Sequence, residues 1–284
     1  MKASVVVPCR GAYPHVESLL KSLRSPEISG AFEIILVDDA SPLRLQDVLA
    51  AQIIEAEAKV VRLSSRHGFL GAIETGVGET DSDVLIVANS DTQADSSAVL
   101  RLAHQIHRQS FAAVGPSSNA AGFQSVPRFR KNLPEKILRQ TPRNRLKTLH
   151  QQRLTQSALL SEFGEETTSW PLIHGFFIAI DNRLLVQTIQ HSRLLNRDGF
   201  AFEFSLAEVA SREGLKLGFQ PGTFVPHMKS KSYGALRRWK NISAIERTLS
   251  DEEKLEQARL FREVGVAREA LDERLLRAMR EATS

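Results

Sequence analysis

A single cysteine, Cys9, stands in 284 residues, so no internal disulfide framework braces the fold and a reducing compartment suits the chain. No apolar run is long enough to cross a bilayer. The opening MKASVVVPCR goes straight into a strand pattern, without the long apolar stretch and small-residue cleavage site of a signal peptide. The cytoplasm is the expected location. Several motifs are missing as well. No GxGxxG follows the first strand pattern, GVGETD (76–81) comes after a helix pattern, and no GxxxxGK[ST] occurs. A dinucleotide fingerprint and a P-loop are thereby excluded. There is no cysteine-rich or HExxH zinc pattern, and no glycine-rich, Arg- and Lys-bearing loop after the first strand such as a sugar nucleotidyltransferase would carry.

What the chain does have is ordinary for a globular enzyme: 42% hydrophobic and 25% charged residues, with a formal net charge of +4. Its first hundred or so residues alternate strand and helix patterns. ASVVVP (3–8) is a β-branched run, followed by helical spacing of Val16, Leu19, Leu20 and Leu23. FEIILVDDAS (32–41) is a second strand, Leu45 to Ala58 a helical stretch, and KVVRLS (59–64) a third strand. GFLGAIETGVGE (68–79) reads as a helix broken late by glycines and VLIVANSD as a fourth strand. A helix over 96–109 and a strand over 112–116 follow. Strands joined by single helices predict parallel crossovers and an α/β sheet covered on both faces.

In such a sheet, ligands bind outside the carboxyl ends of the strands. Three predicted strands end there in Pro8-Cys9-Arg10, Asp38-Asp39 and Asn89-Ser90-Asp91. If the strands are neighbours, these ends converge on one crevice; otherwise each is a separate polar turn. Carboxylates hold a diphosphate through a divalent cation, and Mg²⁺ or Mn²⁺ suits that role.

The second half is less regular. Helix patterns occur in LPEKILRQ and in LHQQRLTQSALLSEF, and HGFFIAID (174–181) reads as a strand. Between Arg128 and Arg153 lie Arg130, Lys131, Lys136, Arg139, Arg143, Arg145 and Lys147, opposed by Glu135 alone. Such a block is either a solvated loop or a surface for polyanions, anionic lipid or phosphorylated substrates. It lacks the interleaved aromatics of a single-strand nucleic-acid binder, and nucleic acid is not expected as a partner. From Ser250 a capping-box pattern, Ser-Asp-Glu-Glu, opens an amphipathic region with Leu255, Phe261, Val264, Leu271, Leu275 and Met279, expected to break at Gly265. Intramolecular packing is the first reading of its stripe and a homodimer contact the second.

SVVVPCR, ILVDDAS, RHGFLGAIETG, VANSDT and VPHMKSKSY, in this order and spacing, resemble the inverting family 2 glycosyltransferases of the GT-A fold. The resemblance implies a Rossmann-like, mostly parallel sheet flanked by helices. It spans a domain over 1–235, with a nucleotide-sugar half (1–116), an acceptor half (117–235), and a helical tail over 236–284. RHGFLGAIETG followed by NSDT is similar to the rhamnosyltransferase-like branch, keeping Gly68, Phe69, Gly71 and Gly76 but carrying Arg66 and Glu74 where that branch has asparagine. By this resemblance Asp91 binds the metal that bridges the donor's diphosphate, and Asn89 contacts ribose or a metal-bound water. Pro8 and Arg10 line the nucleobase and ribose pocket, and Asp39 sits near the base with Asp38 supporting the loop. His227 completes the metal shell or meets the diphosphate. Lys229 and Lys231, with Ser230 and Ser232, belong to a closing loop that neutralises the leaving phosphate.

An inverting transfer also needs a carboxylate to take the acceptor's proton. Where the family has E-D-x-D-L this chain has FEFSL (202–206), which puts Glu203 at the base position, with Asp198 and Glu208 as fallbacks. The longer side chain leaves two readings, an active transferase or a relative that binds nucleotide sugar or a partner without transfer. GPSSNAAGFQSVP (115–127) resembles a loop of some bacterial members and is expected on the acceptor side. The implied partners are a nucleotide-sugar donor and a glycan or lipid-linked acceptor of bacterial cell-surface synthesis. Peripheral contact with the inner face of the membrane is expected of the basic block.

Overall fold

Val5, Val6 and Val7 alternate between two covered faces of the same strand, which is why the run reads as continuously apolar. The computed structural model describes residues 2–24, 30–108, 110–127, 149–195, 202–228 and 249–282. In chain order its elements begin with β1 (Ala3–Cys9), α1 (Tyr13–Leu23), β2 (Glu33–Asp38), α2 (Leu45–Val48), α3 (Ala50–Glu55) and β3 (Lys59–Arg62). Next come α4 (Gly68–Val77), β4 (Val84–Ala88), α5 (Ser96–His107), β5 (Ala113–Ser117) and, after a single 3-10 turn at Gly122–Gln124, α6 (Leu149–Phe163). The chain continues through β6 (Thr168–Ser169), β7 (Phe177–Asp181), α7 (Asn182–Leu194), α8 (Phe202–Arg212), β8 (Leu217–Phe224) and α9 (Asp251–Glu281).

These strands form an eight-stranded sheet in the order β3-β2-β1-β4-β7-β5-β8-β6. β1, β2, β3 and β4 are mutually parallel. β7 inserts antiparallel between β4 and β5, and β6 closes the far edge antiparallel to β8. The sheet is thus mostly parallel. The expected strand over 174–181 starts only at Phe177, because the residues before it turn away to meet other loops, as described below.

One face packs Val5, Val7, Ile34, Leu36 and Ile86 against α1 and α5. The other packs Val6, Ile35, Val37, Leu85 and Val87 against α4, α7 and α8. Strand alternation therefore divides the core into two layers. α4 lies close on its strands: a Cβ at Gly76 would sit 2.3 Å from Val6 Cγ1, and one at Gly71 would sit 2.6 Å from His67 Cβ. Glycine at both positions is a packing requirement.

Two helix expectations change. The 45–58 stretch is not one helix but α2 and α3, interrupted at Leu49. The tail is one helix, α9, unbroken at Gly265. Its capping box is formed, with Ser250 Oγ accepting from Glu253 N at 3.2 Å and Glu253 Oε2 accepting from Ser250 N at 2.7 Å. Val264, Leu271, Leu275, Ala278 and Met279 bury themselves with Trp170, Phe219 and residues of α6 in a third apolar cluster. Arg274 and Arg277 both pair with Glu162 of α6, Arg274 at 2.8 Å and Arg277 at 2.7 Å. Leu255 and Val266 stay exposed. Among the described residues no helix is long and apolar enough to cross a membrane.

Candidate active site

The carboxyl ends of β2, β1 and β4 lie side by side, so the three polar strand ends do share one crevice. At the end of β2, Asp38 is almost fully buried. Its Oδ1 accepts from Ser41 N at 2.9 Å, and its Oδ2 accepts from Leu45 N at 3.3 Å and Arg62 Nη1 at 2.5 Å. Burial works to raise this carboxyl, but the Ser41 and Leu45 bonds and Arg62 outweigh it and hold Asp38 below the usual carboxylate range. Asp39 turns the other way. Its two oxygens accept from His67 N at 2.6 Å and Gly68 N at 3.1 Å. Gly68 takes φ +74°, a left-handed backbone that suits glycine, at the first residue of α4.

Arg10 follows β1 and donates to the backbone oxygens of Asp39 (2.7 Å) and Ala40 (2.9 Å). Pro8 lies beyond the β1–β4 ladder, which ends at Val6–Val87, so its missing N–H breaks no bond there. Arg10, Asp39 and Gly68 are thus linked at the ends of β1 and β2, with Pro8 near the end of β1 paired to Val37. Burial, with Asp38 adding, pushes the neighbouring Cys9 thiol far up, which makes it an inert core residue. Glu74, one of the two departures from the branch pattern, pairs with Arg193 of α7, on the side of α4 that meets that helix.

At the end of β4, Asn89 N donates to Phe176 O at 2.8 Å, and Asn89 O accepts from Thr92 N and Thr92 Oγ1. This turn brings Asp91 against the 226–228 segment. Gln93 N donates to Pro226 O, Met228 N donates to Asp91 O at 2.8 Å, and Thr92 and His227 form a β-bridge. His227 Nε2 is 3.3 Å from Asp91 Oδ1, and both residues are buried. The imidazole stacks on Phe176 with centroids 5.3 Å apart. Its Nδ1 is 3.2 Å from Ala120 O. A carbonyl only accepts, so Nδ1 carries the hydrogen and the Nε2 lone pair faces a carboxylate oxygen. A second ring proton or a cation held between the two groups resolves that opposition. One imidazole nitrogen and one carboxylate suit Mn²⁺ or Mg²⁺ completed by phosphate oxygens. Among the described residues, no three His, Cys, Asp or Glu side chains form a closed metal cage.

Asn119 was not singled out from the sequence, yet it clamps His227 at both backbone groups. Its Oδ1 accepts from His227 N at 2.7 Å and its Nδ2 donates to His227 O at 3.1 Å. The SNAAGFQSVP segment, expected on the acceptor side, thus packs against His227 through Asn119 and Ala120. The loop pattern around Asn119 is visible in the sequence, but nothing in that pattern marks this residue as the partner of His227.

Glu203 is the second residue of α8, and its side chain is only 17% exposed. Its Oε1 accepts from Gly175 N at 3.0 Å and lies 3.8 Å from His174 Nδ1. Phe202 is buried against Phe69, and Phe204 meets Phe261 of α9 edge-on. Glu203 is thereby a helix-start acid turned inward. The fallback Glu208 is engaged with His191 at 2.7 Å, between α8 and α7. Asp198, Lys229, Ser230, Lys231, Ser232, the LPEKILRQ stretch and most of the basic block (128–148) lie outside the described residues.

Comparison with known proteins bears on the family and the fold. The family model described as glycosyl transferase family 2 matches residues 4–164. A dolichol-phosphate mannosyltransferase from Pyrococcus furiosus is 27% identical over 132 residues, covering 46% of this chain and 38% of that protein. The match thus spans well under half of that relative's length. Among solved structures, GalNAc-T7 with UDP, GalNAc and Mn²⁺ superposes with a TM-score of 0.59 at 18% identity, covering 89% of this chain and 50% of the other. The mannosyltransferase PcManGT from Pyrobaculum calidifontis, in complex with GDP-Man and Mn²⁺, gives 0.55 at 15% identity over 99% and 74%. Glucosyl-3-phosphoglycerate synthase from Mycobacterium tuberculosis, with Mn²⁺, UDP and glucosyl-3-phosphoglycerate, gives 0.52 at 18% over 87% and 80%. The fold is GT-A, and the chain belongs to glycosyltransferase family 2.

Proposed function

We propose that the protein is a metal-dependent, inverting hexosyltransferase that moves a sugar from a nucleoside diphosphate to a hydroxyl acceptor. The observation that carries this is the His227–Asp91 pair, an imidazole nitrogen 3.3 Å from a carboxylate oxygen at the strand ends of a family 2 chain. Asp91 and His227 would hold Mn²⁺ or Mg²⁺, which when bound neutralises charge on the departing diphosphate. Pro8, Arg10, Asp39, Gly68 and Asn89 would line the nucleoside side, with Asp38 fixing the loop that carries Asp39. Lys229 and Lys231 are the proposed closing cations. The donor candidates are UDP- and dTDP-sugars, the latter suggested by the rhamnosyltransferase-like pattern at Gly68, Phe69, Gly71 and Gly76. GDP-mannose, named in the PcManGT complex, is the third. The acceptor is a glycan or lipid-linked hydroxyl of cell-surface polysaccharide synthesis, approached from a peripheral position on the inner membrane face.

Glu203 is the base in this reading. Its extra methylene relative to aspartate is taken up by the anchoring bond from Gly175 N, so the carboxylate has a defined place. Glu203→Gln keeps that bond's acceptor and the shape while removing the basic oxygen. Turnover is expected to fall about 10²- to 10⁴-fold with nucleotide affinity unchanged. A Glu203→Gln variant that transfers sugar at the normal rate would remove Glu203 from the reaction, and a wild-type protein that binds donor without turnover would make this a binding relative.

A further inference from the structure

The segment His174-Gly175-Phe176 touches Asn89, Glu203 and His227, three residues of the proposed site. His174 N donates to Gln124 Oε1 at 2.5 Å, and Gln124, itself buried, also donates to Pro116 O. Gly175 N holds Glu203 Oε1, and a Cβ at Gly175 would stand 3.1 Å from that same oxygen, close enough to press on the carboxylate. Phe176 O accepts from Asn89 N, while the Phe176 ring stacks on His227. The backbone at 174–176 is therefore fixed from three sides, and the imidazole of His174 is presented to Glu203 with Nδ1 3.8 Å from Oε1. Of the pair the imidazole is the more exposed, 32% against 17%.

The geometry points to His174 as the residue that takes the acceptor's proton on from Glu203 and returns it to solvent. This rests on the transferase reading. In the transfer step the acceptor O–H bond breaks and its electron pair forms the new bond to the sugar's anomeric carbon. The bond from that carbon to the diphosphate breaks, and its pair leaves with the nucleotide. The proton goes to Glu203, which is then neutral and only slightly exposed, and must be emptied before the next turnover. His174 receives it at Nδ1 and releases the Nε2 proton to water, a passage that imidazole allows because its two nitrogens serve opposite sides. At 3.8 Å the pair is not hydrogen-bonded; about 1 Å of side-chain movement closes it, the kind of tightening catalytic contacts undergo when substrate binds. His174 acts through Glu203 and is a positioning residue.

The test uses the full chain and follows nucleotide release from the nucleotide-sugar whose nucleotide binds with Mn²⁺, with water as acceptor. His174→Ala and His174→Gln are each expected to lower kcat about ten- to a hundredfold, with the donor KM changed less than about twofold. Mn²⁺-dependent nucleotide binding, measured by calorimetry, stays normal in both and shows that they fold. Added imidazole restores most of the rate to His174→Ala and none to Glu203→Gln. A His174→Gln variant at the wild-type rate, or a folded His174→Ala variant that imidazole does not rescue, overturns the inference and leaves the transferase reading standing. A wild-type protein that binds nucleotide yet releases none from any donor sinks the transferase reading, and the role of His174 falls with it.

Discussion

Asp38 and Asp39 are adjacent in sequence and face opposite tasks. Asp38 is sealed among two backbone amides and Arg62, and it ties the end of β2 to the start of α2. Asp39 reaches the other way, and its two oxygens accept from the amides at the start of α4. Replacing Asp38 with Asn removes the charge while leaving the Ser41 and Leu45 amides and the Arg62 guanidinium short of a full partner. The expected loss is about 2–3 kcal/mol at neutral pH. Because the folded carboxyl is held low, its contribution is complete above the unfolded value of about 4 and is lost as pH falls through the folded one. Urea unfolding from pH 7 down to pH 2 should therefore show the gap between wild type and Asp38→Asn closing on the acid side. A gap constant across that range would mean that Asp38 gains nothing from its charge. Of these two residues the sequence shows a strand ending in acids; Arg62, which decides Asp38's role, reads only as one more residue of a short strand.

Helix α9 shows how an element can override a local signal. Gly265 is a weak helix former, and a break there is what propensity predicts. The helix runs through because Val264 on one side, and Leu271 and Leu275 on the other, bury one stripe against α6 and β8, while Leu260 one turn earlier is buried with residues of α4, α7 and α8. A Cβ at Gly265 would meet nothing within 4 Å. Gly265→Ala should therefore stabilise the protein by about 0.5–1 kcal/mol in thermal or urea unfolding. Destabilisation would mean that the glycine is needed for something other than helix continuity. α4 gives the opposite case: Gly76 lies against Val6 and Val37 with no room for a methyl group, and the sequence alone does not distinguish it from Gly265. Composition marks a glycine; only the neighbouring surface says whether it is a gap or a fit.

At the scale of the molecule, the sheet order puts β1 between β2 and β4 and so turns three strand ends into one crevice. That convergence was legible in advance, because alternating strand and helix patterns dictate parallel crossovers and the polar residues sit at strand ends. Spacing within a resemblance named Asp91 and His227 together, and the structure adds that they lie 3.3 Å apart. The parts that were not legible are those made by long-range backbone pairing. β7 enters between β4 and β5, the 174–176 segment bonds to both Asn89 and Glu203, and Asn119 clamps His227 from more than a hundred residues away in sequence. No periodicity encodes such contacts. They nevertheless decide where Glu203 lies relative to Asp91 and His227. The measurement to make is calorimetric titration of the full chain with UDP, dTDP and GDP, each with and without Mn²⁺, beside Asp91→Ala. Binding of one nucleotide that requires Mn²⁺ and disappears in Asp91→Ala is the expected result. Nucleotide binding that is indifferent both to Mn²⁺ and to the loss of Asp91 would contradict a metal-held diphosphate at Asp91 and His227.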